Sequence, residues 1–468
     1  MGILDDNRLF PPESTTRAIA QDLFSQVAPL PIISPHGHTD PRWFAENRNF
    51  PDPAQLFVTP DHYVFRMLYS QGVSLAELGV GRLDGGMVET DGRKIWRLFA
   101  DNFYLLRGTP SQMWLEHSFE TVFGINKRLS SSTADEIYDQ IADSLAKPEF
   151  KPRALFERFN IEVIATTEGA LDDLRWHKMI AESGWAGRVI TTYRPDAVID
   201  PEFEGFAENI EKLGALTDCD TSNFQGYLEA HRVRRAFFKA NGATSTDHGH
   251  STARTENLPA AEAAALFDKA RAGKASAQEA DAFRGHMLTE MARMSIDDGL
   301  VMQIHPGAYR NHSPAIMDKH GRDMGCDIPT RTDYVQALRP MLDAVGTNPD
   351  LTIILFTLDE TAVSRELAPL AGVYPALRLG PAWWFYDSPE GMRRFREAST
   401  ETAGFYNTVG FNDDTRAFCS IPARHDVSRR VDCAYLATLV ATGRLALDEA
   451  HEVAHDLAYR LAKQAYRL

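Results

Sequence analysis

Residues 31–38 read PIISPHGH, and how this stretch is interpreted decides the fold. Pro31, Ile32 and Ile33 open a short apolar, β-branched run that stops abruptly at His36-Gly37-His38, the pattern of a buried strand ending in polar residues. In an extended chain, residues i and i+2 point the same way. Both imidazoles would then face one side of the strand's end, placed to grip one cation. An isolated His-x-His carries little weight, so the reading depends on how the other strands end.

Seven further runs follow the same plan. Residues 161–167 (IEVIATT) stop at Glu168-Gly169, 188–193 at Arg194-Pro195-Asp196, and 242–247 at His248. Residues 300–304 stop at His305-Pro306-Gly307, and 351–356 at Thr357-Leu358-Asp359-Glu360. Residues 373–379 lead into Gly380-Pro381-Ala382-Trp383-Trp384, and 405–411 into Asn412-Asp413-Asp414-Thr415-Arg416. Helical patterns such as 171–182 and 331–345 lie between them. Apolar strands alternating with helices predict parallel βαβ units buried on both faces. Polar chemistry at strand C-termini is where a (β/α)8 barrel builds its site. The competing architecture, a doubly wound sheet, is disfavoured because no GxGxxG follows the first strand. The expected fold is α/β: one distorted (β/α)8 TIM-type barrel over 1–468, with a helical insertion between strands 1 and 2. That insertion, approximately 40–152, reads as helices at 61–71, 92–106, 111–119 and 132–146 and would cap the barrel mouth. A second helical insertion is expected at approximately 250–285, rich in Ala, Glu and Lys.

The bulk properties narrow the partners. Of 468 residues, 44% are hydrophobic and 24% charged, enough apolar material for a large core. A formal charge of −16 argues against nucleic acid or an anionic membrane, either of which needs a basic face. An anionic small molecule stays open, because a few arginines reverse the field within a cleft. Cys219, Cys326, Cys419 and Cys433 are scattered without CxxC pairing, which predicts a reducing cytoplasm. The polar, acidic first ten residues do not resemble a signal peptide, and no apolar run approaches the roughly 20 residues that span a bilayer.

His305 ends the fifth run and Asp414 follows the eighth. With His36 and His38 they form an N/O donor set suited to one divalent metal ion, zinc above all. His-x-His on the first strand, His on the fifth and Asp on the eighth resembles the amidohydrolase superfamily. The chain departs from the binuclear members, with no lysine at the fourth strand end and no histidine at the sixth, so a single metal is expected. Further motifs are similar to those of the uronate (glucuronate) isomerases: Asp61-His62-Tyr63, Tyr193-Arg194-Pro195-Asp196, His305-Pro306-Gly307-Ala308-Tyr309-Arg310-Asn311, Gly380-Pro381-Ala382-Trp383-Trp384-Phe385, and Asp414-Thr415-Arg416 continuing to Arg424-His425-Asp426 and Arg429-Arg430. Asp413 beside Asp414 leaves two candidates for the metal carboxylate, and the family's D-x-R spacing favours Asp414. The segment 420–424 carries one residue more than the family pattern.

The resemblance implies aldose–ketose isomerisation in hexuronate catabolism, D-glucuronate to D-fructuronate and D-galacturonate to D-tagaturonate, through an enediol. Such chemistry needs a base for the C2 proton, an acid at the carbonyl and a cationic grip on the carboxylate. Arginine provides that grip through its planar fork, which makes Arg194, Arg310 and Arg416 the expected substrate-binding residues, with Trp384 as apolar lining. His62, Tyr63 and Asp414 are the expected acid/base residues. The expected ligand is a small-molecule sugar acid and the expected assembly a homo-oligomer. Two other readings fit the same barrel: a mononuclear metal-dependent hydrolase, and a non-catalytic sugar-acid-binding barrel.

Two further motifs read as structural. His451-Glu452-Val453-Ala454-His455 matches HExxH, but the spacing of Val453, Leu457 and Leu461 is that of an ordinary amphipathic terminal helix. His248-Gly249-His250 repeats the His-x-His pattern and reads as a solvated loop. His117, His177, His231, His286 and His320 have no partner pattern, and structural roles are expected for them.

Overall fold

In the computed structural model, which describes residues 2–468, seven short parallel strands stand in chain order around a curled sheet. They are β1 (Ile32–Ser34), β2 (Ile161–Gly169), β3 (Arg188–Arg194), β4 (Ser245–His248), β5 (Val301–Ile304), β6 (Ile353–Leu355) and β7 (Leu377–Leu379). Thr408 takes the eighth position, bridging Leu379 in parallel. The order never reverses, as it would at the switch point of a doubly wound sheet. The fold is a distorted (β/α)8 barrel with a helical insertion between its first two strands.

Several strands are shorter than the sequence predicts, for local reasons. β1 stops at Ser34 because Pro35 has no N–H to donate to a ladder, so His36 and His38 lie just beyond the strand. The run 373–379 contributes only Leu377–Leu379: Val373 is exposed, and Pro375 falls in the turn after it. The run 405–411 forms a single bridge instead of a strand. Gly404 and Gly410, at φ 67° and 75°, turn the chain on either side of it.

The barrel is filled from below. Ile33, Val163, Ala165 and Ile190 pack on Ala462, while Val301, Ile354, Phe356 and Val409 pack on Tyr466. The C-terminal helix Leu461–Ala465 thus plugs the base, and the buried Tyr466 hydroxyl donates to Gln303 Oε1 at 2.9 Å. Above, the insertion buries a core around Trp96, Phe99 and Phe119 that is continuous with Ile32 and Ile164 of the first two strands. Four of its helices (Pro41–Glu46, Pro53–Phe57, His62–Tyr69 and Gly92–Asp101) begin at Asp40, Asp52, Asp61 and Asp91, whose carboxylates accept backbone N–H groups of the first turn. Farther along the chain, helix Ala260–Arg271 precedes the long helix Ala277–Asp298, whose Met287, Leu288 and Met291 are buried.

The top of the ring closes without a ladder. The His38 N–H donates to the Thr415 carbonyl at 3.0 Å, and the Thr39 hydroxyl reaches the same oxygen at 3.2 Å. This seam joins the end of β1 to the chain beyond the eighth position.

Side chains alternate at the end of β2. Thr167 faces the cavity, whereas Thr166 and Glu168 turn outward. There the Thr166 hydroxyl lies 2.9 Å from His177 Nε2, and the Thr191 hydroxyl donates to Glu168. Burial pushes the Glu168 carboxyl up to about 7, against the lowering effect of the Thr191 hydrogen bond, from an ordinary value of 4.5. The native state therefore holds this proton between about pH 4.5 and 7 while the unfolded chain releases it, and stability falls as pH rises through that window. Glu168→Gln is expected to flatten the decline, by at most about 3 kcal/mol between pH 5 and 8. Urea unfolding of both proteins at the two pH values measures it, and equal declines would remove Glu168 as a cause.

Candidate active site

A cavity of about 390 Å³ opens at the C-terminal ends of the strands, and all ten residues singled out from the sequence line it: His36, His38, His62, Tyr63, Arg194, His305, Arg310, Trp384, Asp414 and Arg416. Its size lies within the usual range for small-molecule sites. A larger cavity, about 770 Å³, lies between the N-terminal segment and the insertion, lined by Arg8, Tyr104 and Arg107 among others, away from the strand ends.

Asp414 sits at φ 43°, in the left-handed region that aspartate tolerates better than most residues. Its Oδ1 lies 3.5 Å from His36 Nε2 and 3.4 Å from His38 Nε2. That oxygen is buried and has no hydrogen-bond partner among the described residues. Oδ2 accepts the indole N–H of Trp383. Donors about 2.1 Å from one tetrahedral ion are about 3.4 Å apart, so the spacing suits a cation better than direct hydrogen bonding. One donor atom from each of these three residues lies within 4.8 Å of the other two. Asp413, the rival carboxylate, is turned away, its Oδ2 3.0 Å from His425 Nε2.

Electrostatics reinforce the arrangement. Burial would raise the Asp414 carboxyl, but His36, His38 and the Trp383 N–H hold it well below the carboxylate range. Burial, aided by Arg416, pushes His38 down to about 3 although Asp414 opposes the shift.

His305 follows β5 and lines the same cavity, its ring centroid 6.3 Å from that of His36. Its Nε2 is 2.8 Å from Asp247 Oδ1, but misaligned: His305 Nε2 and both Asp247 oxygens lack hydrogen-bond partners among the described residues. Reading the sequence missed Asp247. It is fully buried on β4, and an aspartate within an otherwise buried run was the available signal.

His62 and Tyr63 begin helix His62–Tyr69, where the Asp61 carboxylate accepts the Tyr63 N–H at 2.8 Å. Burial, with Arg416 and Arg66, pushes His62 down to about 3. Burial pushes the Tyr63 hydroxyl well up. At neutral pH the pair is a neutral imidazole beside a protonated phenol. The arginines are not equivalent. Arg194 Nε donates to Asp196 Oδ2 at 2.8 Å, and Arg310 Nη1 to Asp327 Oδ2 at 2.8 Å while lying 5.5 Å from the Trp384 ring. Arg416 has no ion-pair partner among the described residues and is free to meet an anion.

The 248–250 loop departs from the solvated loop that its sequence suggests. It is not solvated, since His248 is fully buried and His250 is 4% exposed. The Gly249 N–H draws the loop inward by donating to Asp196 at 3.2 Å. The HExxH histidines, by contrast, stand on the terminal helix beside Asp22 and Asp456. His177, His231 and His320 pair with Thr166, Tyr193 and the Gly81 carbonyl.

Comparison with known proteins places the whole chain in one family. A family model described as glucuronate isomerase matches residues 13–466. The uronate isomerase of Rhizobium meliloti (strain 1021) is 67% identical, covering 100% of both chains. The crystal structure of glucuronate isomerase from Caulobacter crescentus superimposes with a TM-score of 0.97 at 58% identity, over 99% of this chain and 97% of that one. Uronate isomerase from Thermotoga maritima superimposes at 0.92 with 27% identity, covering 100% of both. With the match running essentially end to end, the chain belongs to the uronate (glucuronate) isomerase family.

Proposed function

We propose that this isomerase interconverts open-chain hexuronates, D-glucuronate with D-fructuronate and D-galacturonate with D-tagaturonate. The observation that carries the reading is the shared cavity: an imidazole–carboxylate cluster, three arginines, and a neutral histidine beside a protonated tyrosine.

The arginines grip the substrate carboxylate, with unpaired Arg416 the first to bind it and Arg194 and Arg310 flanking. Asp414, held ionised, accepts the C2 proton. The electron pair left at C2 forms the enediol as the C1 carbonyl oxygen gains a proton. The Tyr63 hydroxyl gives its proton to that oxygen; as the enediol collapses, the C2 hydroxyl proton returns to the Tyr63 oxygen and leaves the C2 carbonyl, while the proton taken by Asp414 is relayed through His62 to C1. Trp384 closes one face. His36, His38 and Asp414 would hold a divalent cation, with His305 alongside; the donor set favours zinc. When bound, that ion supplies Lewis-acid polarisation and a fixed point for the sugar. The four free cysteines support a reducing cytoplasm for the enzyme, and no helix among the described residues is long and apolar enough to cross a membrane. Exposed Leu83 and Met87 on the insertion support a homo-oligomer.

Incubation with D-glucuronate is expected to yield a ketose. Binding without conversion would favour the non-catalytic barrel, and turnover of an amide or ester instead would favour the hydrolase. In deuterated water, His62→Asn and Tyr63→Phe are each expected to lower kcat by about 10²–10⁴-fold, with altered label at C1 or C2. Wild-type turnover in both variants removes them from the mechanism. Arg416→Met is expected to raise KM by at least about tenfold, through loss of a charge-assisted contact worth roughly 1.5–3 kcal/mol. An unchanged KM places the carboxylate elsewhere.

A further inference from the structure

One carboxylate and two imidazoles converge beside the active-site cavity, on the chain that follows β3 and β4. Asp196 opens the short helix Asp196–Ile199, His248 ends β4, and His250 lies two residues beyond. A donor atom of each lies within 4.8 Å of the other two. The rings leave nitrogens unused: His248 Nδ1 and His250 Nε2 are buried and have no hydrogen-bond partner among the described residues. The far nitrogen of His248 is engaged, its Nε2 standing 3.0 Å from Thr246 Oγ1. With Nε2–H donating to that hydroxyl, Nδ1 keeps its lone pair, the arrangement that orients metal-binding histidines. Asp196 already accepts from Arg194 and from the Gly249 N–H. A carboxylate offers about four lone-pair positions, so capacity remains for a cation.

We propose that Asp196, His248 and His250 form a second divalent-cation site of the zinc or cobalt class. Two imidazole nitrogens and one carboxylate oxygen make the donor set such ions prefer. It is separate from the cluster at His36, His38 and Asp414 and shares no ligand with it. Asp196 also lines the active-site cavity, whereas His248 and His250 lie behind Gly249, where a Cβ would stand 2.4 Å from Arg194 Nη2 and 2.7 Å from His305 Cε1. Only backbone fits in the partition. The two sites communicate through Arg194, which pairs with Asp196 and also lies 3.5 Å from Asp247 Oδ2. A cation drawing on the Asp196 carboxylate loosens its hold on Arg194 and frees that guanidinium toward the cavity.

The test is cobalt binding by the full chain after removal of bound metal with chelator, counted by elemental analysis and followed by visible absorption. The wild type is expected to take up two Co²⁺ ions, His250→Gln one, His38→Asn one, and the double variant none. In His38→Asn, whose second site is untouched, the remaining ion is expected to shift an imidazole N–H resonance paramagnetically. Should His250→Gln fail to fold, the His38→Asn protein decides alone: one bound ion with that resonance supports the site, and none overturns it. An unchanged count in folded His250→Gln, or a wild-type single ion lost in His38→Asn, also overturns it. A wild-type single ion lost in His250→Gln but kept in His38→Asn supports this site and counts against the first.

Discussion

The cavity depends on one backbone hydrogen bond, from the His38 N–H to the Thr415 carbonyl at 3.0 Å. It joins the end of β1 to the chain beyond the eighth position, where Arg429 also holds the entry of β1 through the Ala28 and Pro31 carbonyls. Across that bond, two imidazoles and a carboxylate from opposite ends of the sequence face each other at 3.4–3.5 Å. Gly37 makes the seam close enough. A Cβ at this position would lie 3.3 Å from the Thr415 carbonyl oxygen and 3.4 Å from its nitrogen, so any side chain presses on the joint. From the other side, the Thr167 hydroxyl donates to the Gly37 carbonyl at 3.0 Å. The glycine between the two histidines is thus a packing requirement of barrel closure as well as a spacer that sets their separation.

Polar satisfaction divides the barrel into two halves. Near the base, Tyr466 meets Gln303 and the surrounding side chains are apolar. At the top, buried polar atoms stand without partners among the described residues: Asp414 Oδ1, both oxygens of Asp247, and His305 Nε2. Leaving such a group unpaired costs roughly 1–3 kcal/mol, and concentrating several at one end is unfavourable unless something binds there. The base therefore supplies stability, and the strand ends forgo it for chemistry. The HExxH stretch stands apart from the strand ends: its Ala450, Val453 and Ala454 pack with Leu23, Val27 and Leu436 of neighbouring helices.

Much of this was legible in the sequence, because the strand runs and their polar endings are local signals. Each of the first seven runs overlaps one of the seven strands, and the ten residues chosen from their ends and from the insertion line a single cavity. What escaped was set by tertiary geometry. Nothing local announces that 405–411 shrinks to one bridge, since the decision rests with glycines at positive φ on either side. The burial of His248 and His250 is not a local signal: the loop is held inward by the Gly249 N–H donating to Asp196, from a different loop. Asp247 went unread because it lies within a weak run, where one charged residue looks like an interruption; its role as a wall of the cavity depends on His305 facing it from the next strand.

The insertion raises a harder question: a separate helical layer must place His62 and Tyr63 over a site built by the barrel. The apolar core around Trp96 and Phe119 runs on to Ile32 and Ile164 of the first two strands and to Phe418, which seats the layer on that side of the barrel. Arg424 adds a link at the site itself. Its guanidinium lies 3.8 Å from the Trp114 ring and 5.1 Å from the Tyr63 ring, both in the insertion. It also donates to Asp387 at 2.9 Å and to the Asp413 carbonyl at 2.8 Å, on the chains that follow β7 and the eighth position. One buried cation therefore fastens the tyrosine to the residue immediately before Asp414. Cation–π attraction is stronger when desolvated, about 2 kcal/mol or more against 0.5–1 at the surface, and Arg424 is only 3% exposed. Because the guanidinium stays charged at any physiological pH, this fastening holds while protons move between the groups it aligns.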